Sequence, residues 1–65
     1  MKSIEEVCKS HRATRFFEHE DGDIGVYNHA GRVMWYACNA VTGLYSLNGV
    51  TNTPFGATLR KLTLK

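Results

Sequence analysis

Apolar and polar positions change their period early in the chain. Ile4, Val7, Cys8 and His11 recur at the spacing of one helical face. Ser3 precedes them with Glu6 three residues later, a capping box in which each side chain satisfies the other residue's backbone N–H. Glu5 and Glu6 in the first turn and Lys9 and Arg12 near the end complement the helix dipole. The pattern predicts a helix over about residues 3–12, too short to persist unless its apolar stripe docks on something.

From Thr14 onward the period is that of strands. The segments 15–20 and 23–28 flank Asp21-Gly22, a pair favoured in two-residue type I′ hairpins. That turn would set Phe17 opposite Val26 and His19 opposite Ile24 on one face, with Phe16 and Tyr27 on the other. Residues 28–31 predict the next turn and 32–39 a third strand, with Val33, Trp35 and Ala37 on one side and Met34, Tyr36 and Cys38 on the other. Both sides are apolar, as in a strand covered on two faces. A fourth strand is expected from Leu44 to Leu47, a hairpin at Asn48-Gly49, a weak strand over 50–53, a break at Pro54-Phe55-Gly56, and a last strand over 58–64. The expected fold is a single α+β domain spanning residues 1–65, with a short N-terminal helix and an antiparallel β-meander of four to five strands. The alternative is an SH3-like small barrel in which the same strands curl shut.

Length limits what this domain can do. A 65-residue chain has a thin core. Two cysteines are fewer than disulfide-stapled secreted scaffolds carry, the N-terminal residues are acidic where a secretory signal is apolar, and no run approaches a membrane span. The expectation is a cytoplasmic protein with free thiols and no membrane partner.

The net charge of +2 is uninformative, but its distribution is not. Residues 1–15 sum to +2, residues 16–31 to −4 and residues 32–65 to +4. Val33 to Leu59, 27 residues, contain no Asp, Glu, Lys, Arg or His. A soluble surface is normally about a quarter charged, and so small a core cannot hide two or three whole strands. Part of this neutral surface is therefore expected to face outward. Its Tyr, Trp, Phe and Met content matches interface centres.

Candidate chemistry is sparse. Cys8 and His11 have a C-x2-H spacing that His19, His29 and Cys38 could extend, but the second close-spaced pair of a structural zinc site is missing. Glu18, Glu20, Asp21 and Asp23 crowd one hairpin tip without the ligand spacing of a calcium loop, which favours a solvated turn that guards a sheet edge. No nucleophile signature or phosphate-binding glycine loop is present, so neither an enzyme nor a cofactor is expected. The expected function is that of a small interaction protein that docks on another protein or on a second copy of itself, with Trp35, Tyr36, Tyr45 and Phe55 as anchors. Its size also fits the accessory inhibitors of phages and mobile elements. The alternative is weak nucleic-acid binding through Arg32, Arg60, Lys61 and Lys65 with the aromatics.

Overall fold

The computed structural model describes residues 1–62. Ser3 caps α1 (Ile4–Ser10): its hydroxyl accepts from the Glu6 N–H, and its own N–H donates to the Glu6 carboxylate, each at 3.2 Å. The helix ends earlier than its sequence pattern predicts because Arg12 adopts a left-handed conformation, φ 54°. There the Ala13 N–H turns back onto the Cys8 carbonyl at 2.8 Å.

Five strands follow: β1 (Arg15–Glu18), β2 (Ile24–Tyr27), β3 (Val33–Cys38), β4 (Tyr45–Thr51) and β5 (Thr58–Lys61). They form one antiparallel sheet in the order β4-β3-β2-β1-β5. The first four strands make the meander, and β5 returns beside β1. β4 and β5 occupy the two edges without pairing with each other, so the sheet does not shut into the barrel considered as the alternative. The part of the last strand expected over 63–64 lies outside the described residues.

Two turns depart from expectation, and each has a physical cause. A type I′ turn at Asp21-Gly22 requires positive φ at both residues, yet only Gly22 has it, at 95°. The chain instead makes a three-residue loop. The Gly22 N–H donates to the His19 carbonyl, the His19 N–H donates to the Asp23 carbonyl, and the Asp21 carboxylate accepts from the Asp23 N–H. The register moves by one residue, so that Phe17 faces Gly25 and Glu18 faces Ile24. Phe16 therefore joins Ile24 and Val26 on one face, and Phe17 joins Tyr27 on the other. The second departure is at Asn48-Gly49, which is not a hairpin but lies inside β4. Trp35 pairs with Gly49 and Tyr36 with Leu47, which leaves Asn48 as the extra residue of a β-bulge. Pairing along the whole of β3 outweighs the local turn preference.

The sheet is packed on both sides. Under α1, Val7 and Cys8 meet Phe16, Ile24, Val26 and Tyr36, with Ile4, Ala13, Met34, Tyr45 and Leu62 around them. Burying a side chain such as Ile24 fully is worth about 1.5–3 kcal/mol. On the opposite face Trp35 is buried beside Val33, stacks on His19 with ring centroids 4.5 Å apart, and donates from its indole N–H to Thr51 Oγ1 at 2.7 Å. Phe17 and Tyr27 meet edge to face nearby, 5.4 Å between centroids. The 52–57 connection from β4 to β5 passes this side, Gly56 lying beside the His19 ring.

Gly25 makes the second layer possible. A Cβ there would lie 2.7 Å from Trp35 Cε3 and Cζ3 and 2.8 Å from Val33 Cγ1. Gly25→Ala is expected to destabilise the fold by about 1–3 kcal/mol through overpacking. Gly49→Ala, with nothing within 4 Å of the new methyl, should leave it nearly unchanged. Urea unfolding followed by Trp35 fluorescence checks the pair, and equal midpoints would contradict this packing.

Candidate interaction surface

The ion-free segment divides sharply by burial. Within it only Val33, Trp35 and Tyr36 are buried, while residues 38–43 and 46–53 are exposed throughout. Leu47 is 56% exposed, Val50 42% and Phe55 87%. β3 is thus interior, and β4 with the connection after it is surface.

The four aromatic candidates occupy different environments. Trp35 and Tyr36 face opposite ways on β3, as alternation requires, and each is buried in its own layer. Tyr45 begins β4 and is half-buried, and burial together with the neighbouring Cys38 thiol pushes its phenol pKa upward. Phe55, in the 52–57 connection, is almost wholly exposed. The sequence pattern marks Leu47 and Val50 less clearly, since an Asn-Gly dipeptide lies between them. Once the bulge is counted they share a face, opposite Tyr36 and Met34 respectively.

A shallow cleft separates the β1–β2 tip from the bulge of β4. Trp35 lines it together with His19, Asp21, Asp23, Asn48, Gly49 and Thr51. The indole N–H is already committed to Thr51 and the Asp21 carboxylate to its own turn, so the cleft offers the indole's apolar surface with acids at the rim.

The basic residues are dispersed. Arg60 and Lys61 are consecutive on β5 and so point to opposite faces. The Arg60 Nε–H donates to the Glu18 carboxylate at 3.2 Å, and the Arg32 Nε–H to Asn52 Oδ1 at 3.1 Å. Lys61 pairs with Arg15 on the face that holds Phe17 and Tyr27, a grouping that depends on β5 lying next to β1. Lys65 lies outside the described residues.

The thiols and imidazoles have separate surroundings. Cys8 is fully buried, which pushes its thiol pKa upward, whereas Cys38 is exposed; neither forms a disulfide. His11 Nε2 lies 2.8 Å from Tyr36 Oη and His19 rests on Trp35. Among the described residues no group of three or more His, Cys, Asp or Glu is placed to hold a metal ion, and no helix is long and apolar enough to cross a membrane. Comparison with protein-family models, with curated proteins and with solved structures finds no match to this chain.

The His11–Tyr36 contact ties the end of α1 to the centre of the sheet. Burial, reinforced by Lys2 and His29, holds the His11 pKa below its ordinary value of 6.5, so the folded protein favours the neutral ring. The unfolded chain takes up that proton at higher pH than the folded one. Stability from this site is therefore fully present above about pH 6.5 and is lost as pH falls through the lower folded value. Between about pH 7.5 and pH 5.5 the urea midpoint should fall less in His11→Gln than in the parent, His19 and His29 being common to both. Equal falls would remove His11 as the cause.

Proposed function

We propose that this chain is a non-enzymatic interaction domain that docks on another protein or on a second copy of itself through the neutral surface of β4 and the 52–57 connection. One observation carries this reading: residues 46–53, nearly all of an edge strand and the start of the loop after it, are exposed together with Phe55 and without a single ion. Solvent alone does not favour Leu47 and Val50 exposed on one face of a charge-depleted edge strand and Phe55 exposed on the neutral loop after it, whereas a protein interface does. On this reading Phe55 is the outermost anchor, Tyr45 lies at the near end of β4, and Trp35 and Tyr36 support the surface from within. Two free thiols accord with action in a reducing cytoplasm. An accessory protein that blocks a larger machine would need no more than this.

Truncating or charging a central anchor costs about 2 kcal/mol, roughly thirtyfold in affinity. A protein retained by the parent chain as immobilised bait should therefore be lost with the Leu47→Lys/Phe55→Lys double variant, whose circular dichroism should match the parent. Binding indifferent to the double variant, or a parent that neither self-associates nor retains any protein, would overturn the reading.

A second reading rests on the register of β1 with β5. Arg15 and Lys61 lie side by side on the face of Phe17 and Tyr27, with Tyr27 about half exposed. Cations beside an accessible aromatic ring suit single-stranded nucleic acid, where phosphates meet the charges and a base stacks on the ring. Arg32 and Arg60 would add to the field from outside this group. Anisotropy of a labelled oligonucleotide should then rise at low salt, fall steeply as salt is added, and weaken in Tyr27→Ala. No change at low salt would exclude it.

A further inference from the structure

The two edges of the sheet are protected differently. β5 carries Arg60 and Lys61, the kind of cations that keep an exposed edge from recruiting another strand. β4 carries neither charge nor proline. Among the described residues its outer side is taken only at Tyr45, where Lys2 exchanges two backbone hydrogen bonds with it, at 2.8 and 2.7 Å. That bridge shows the edge accepting an extended segment, and it leaves Ser46–Thr51 open.

The open segment is self-complementary. Opposed residues of an antiparallel pair must share a face, so a strand that meets its own copy about a twofold axis must read alike in both directions. Ser46 and Thr51 lie opposite Ala37 and Val33, on the Trp35 face. Leu47 and Val50 lie opposite Tyr36 and Met34, on the helix face. An antiparallel pairing that sets Ser46 against Thr51 of the copy also sets Leu47 against Val50, and both pairs match in face. In an unbroken strand Leu47 and Val50, three residues apart, would point to opposite faces; the Asn48 bulge removes that mismatch. The register also fits the free length, since Tyr45 is occupied by Lys2 at one end and the chain leaves the strand after Thr51 at the other.

We infer that the partner is a second copy of this chain, joined by antiparallel pairing of the two β4 edges about a twofold axis, with Leu47 opposite Val50 of the copy and Ser46 opposite Thr51. The absence of ions from the segment means that no like charges meet across the axis, whereas the same operation on β5 would bring Arg60 and Lys61 close to their copies. The inference rests on the docking reading above and specifies its partner. Six residues a side bury less than a standard interface of about 1,600 Å², so the dimer should be weak, with a dissociation constant in the micromolar range or above.

The test uses the full chain with Cys38→Ser, which removes the exposed native thiol. Sedimentation from micromolar to millimolar concentration should show the mass rising from one chain to two. Amide exchange should slow with concentration at residues 46–51 and not at 58–61. Mixing Leu47→Cys with Val50→Cys under mild oxidation should give the mixed disulfide in excess over either symmetric one. A dimer whose 46–51 amides exchange freely, or one that forms the symmetric disulfides equally well, overturns this pairing. A chain that remains monomeric at millimolar concentration also overturns it; if that monomer still retains a different protein in a manner sensitive to Leu47→Lys/Phe55→Lys, the broader docking reading stands.

Discussion

The sheet carries packed side chains on both faces because one position at its centre has no side chain at all. Gly25 leaves bare backbone under the Trp35 ring, which settles against Val33 and His19 and reaches Thr51 with its indole N–H. A chain this small has little surface with which to cover two faces. The helix covers one, and the tryptophan, together with the passing 52–57 connection, covers the middle of the other around Gly25 and Val33. Once the interior is met in this way by β2, β3 and α1, β4 is left with little to bury and its side chains face outward.

That division also explains how residues so similar in composition have such different environments. Trp35 and Tyr36 are adjacent, yet one is held by the glycine opposite and the other by the helix above. Leu47 and Val50 are as apolar as much of the core but lie one strand too far from its centre. Position in the strand order, rather than hydrophobicity, decides which residues are available to a partner.

Much of this was legible in the chain. The capping box, the alternation of β3 and the existence of the strands follow from local spacing, and the exposure of a neutral surface follows from its length against so thin a core. The hairpin registers were not legible, because Asp21-Gly22 suits two loops that differ by one residue and only the backbone conformation of Asp21 separates them. Asn48-Gly49 misled for a different reason: the bond partners waiting along β3 are remote in sequence, and they outweigh what the dipeptide prefers alone. The pairing of Arg15 with Lys61 depends on a strand returning across the whole sheet, which no short-range signal announces.

The return of β5 also governs how the molecule comes into being. β1 is made well before the strand that covers its outer edge, which begins only at Thr58. Until then a growing chain holds β1, with Phe16 and Phe17, as a raw margin open to other polypeptides. A chain cut before Thr58 would leave this margin uncovered for good, so β5 acts as a selvedge that keeps the sheet from fraying into its neighbours.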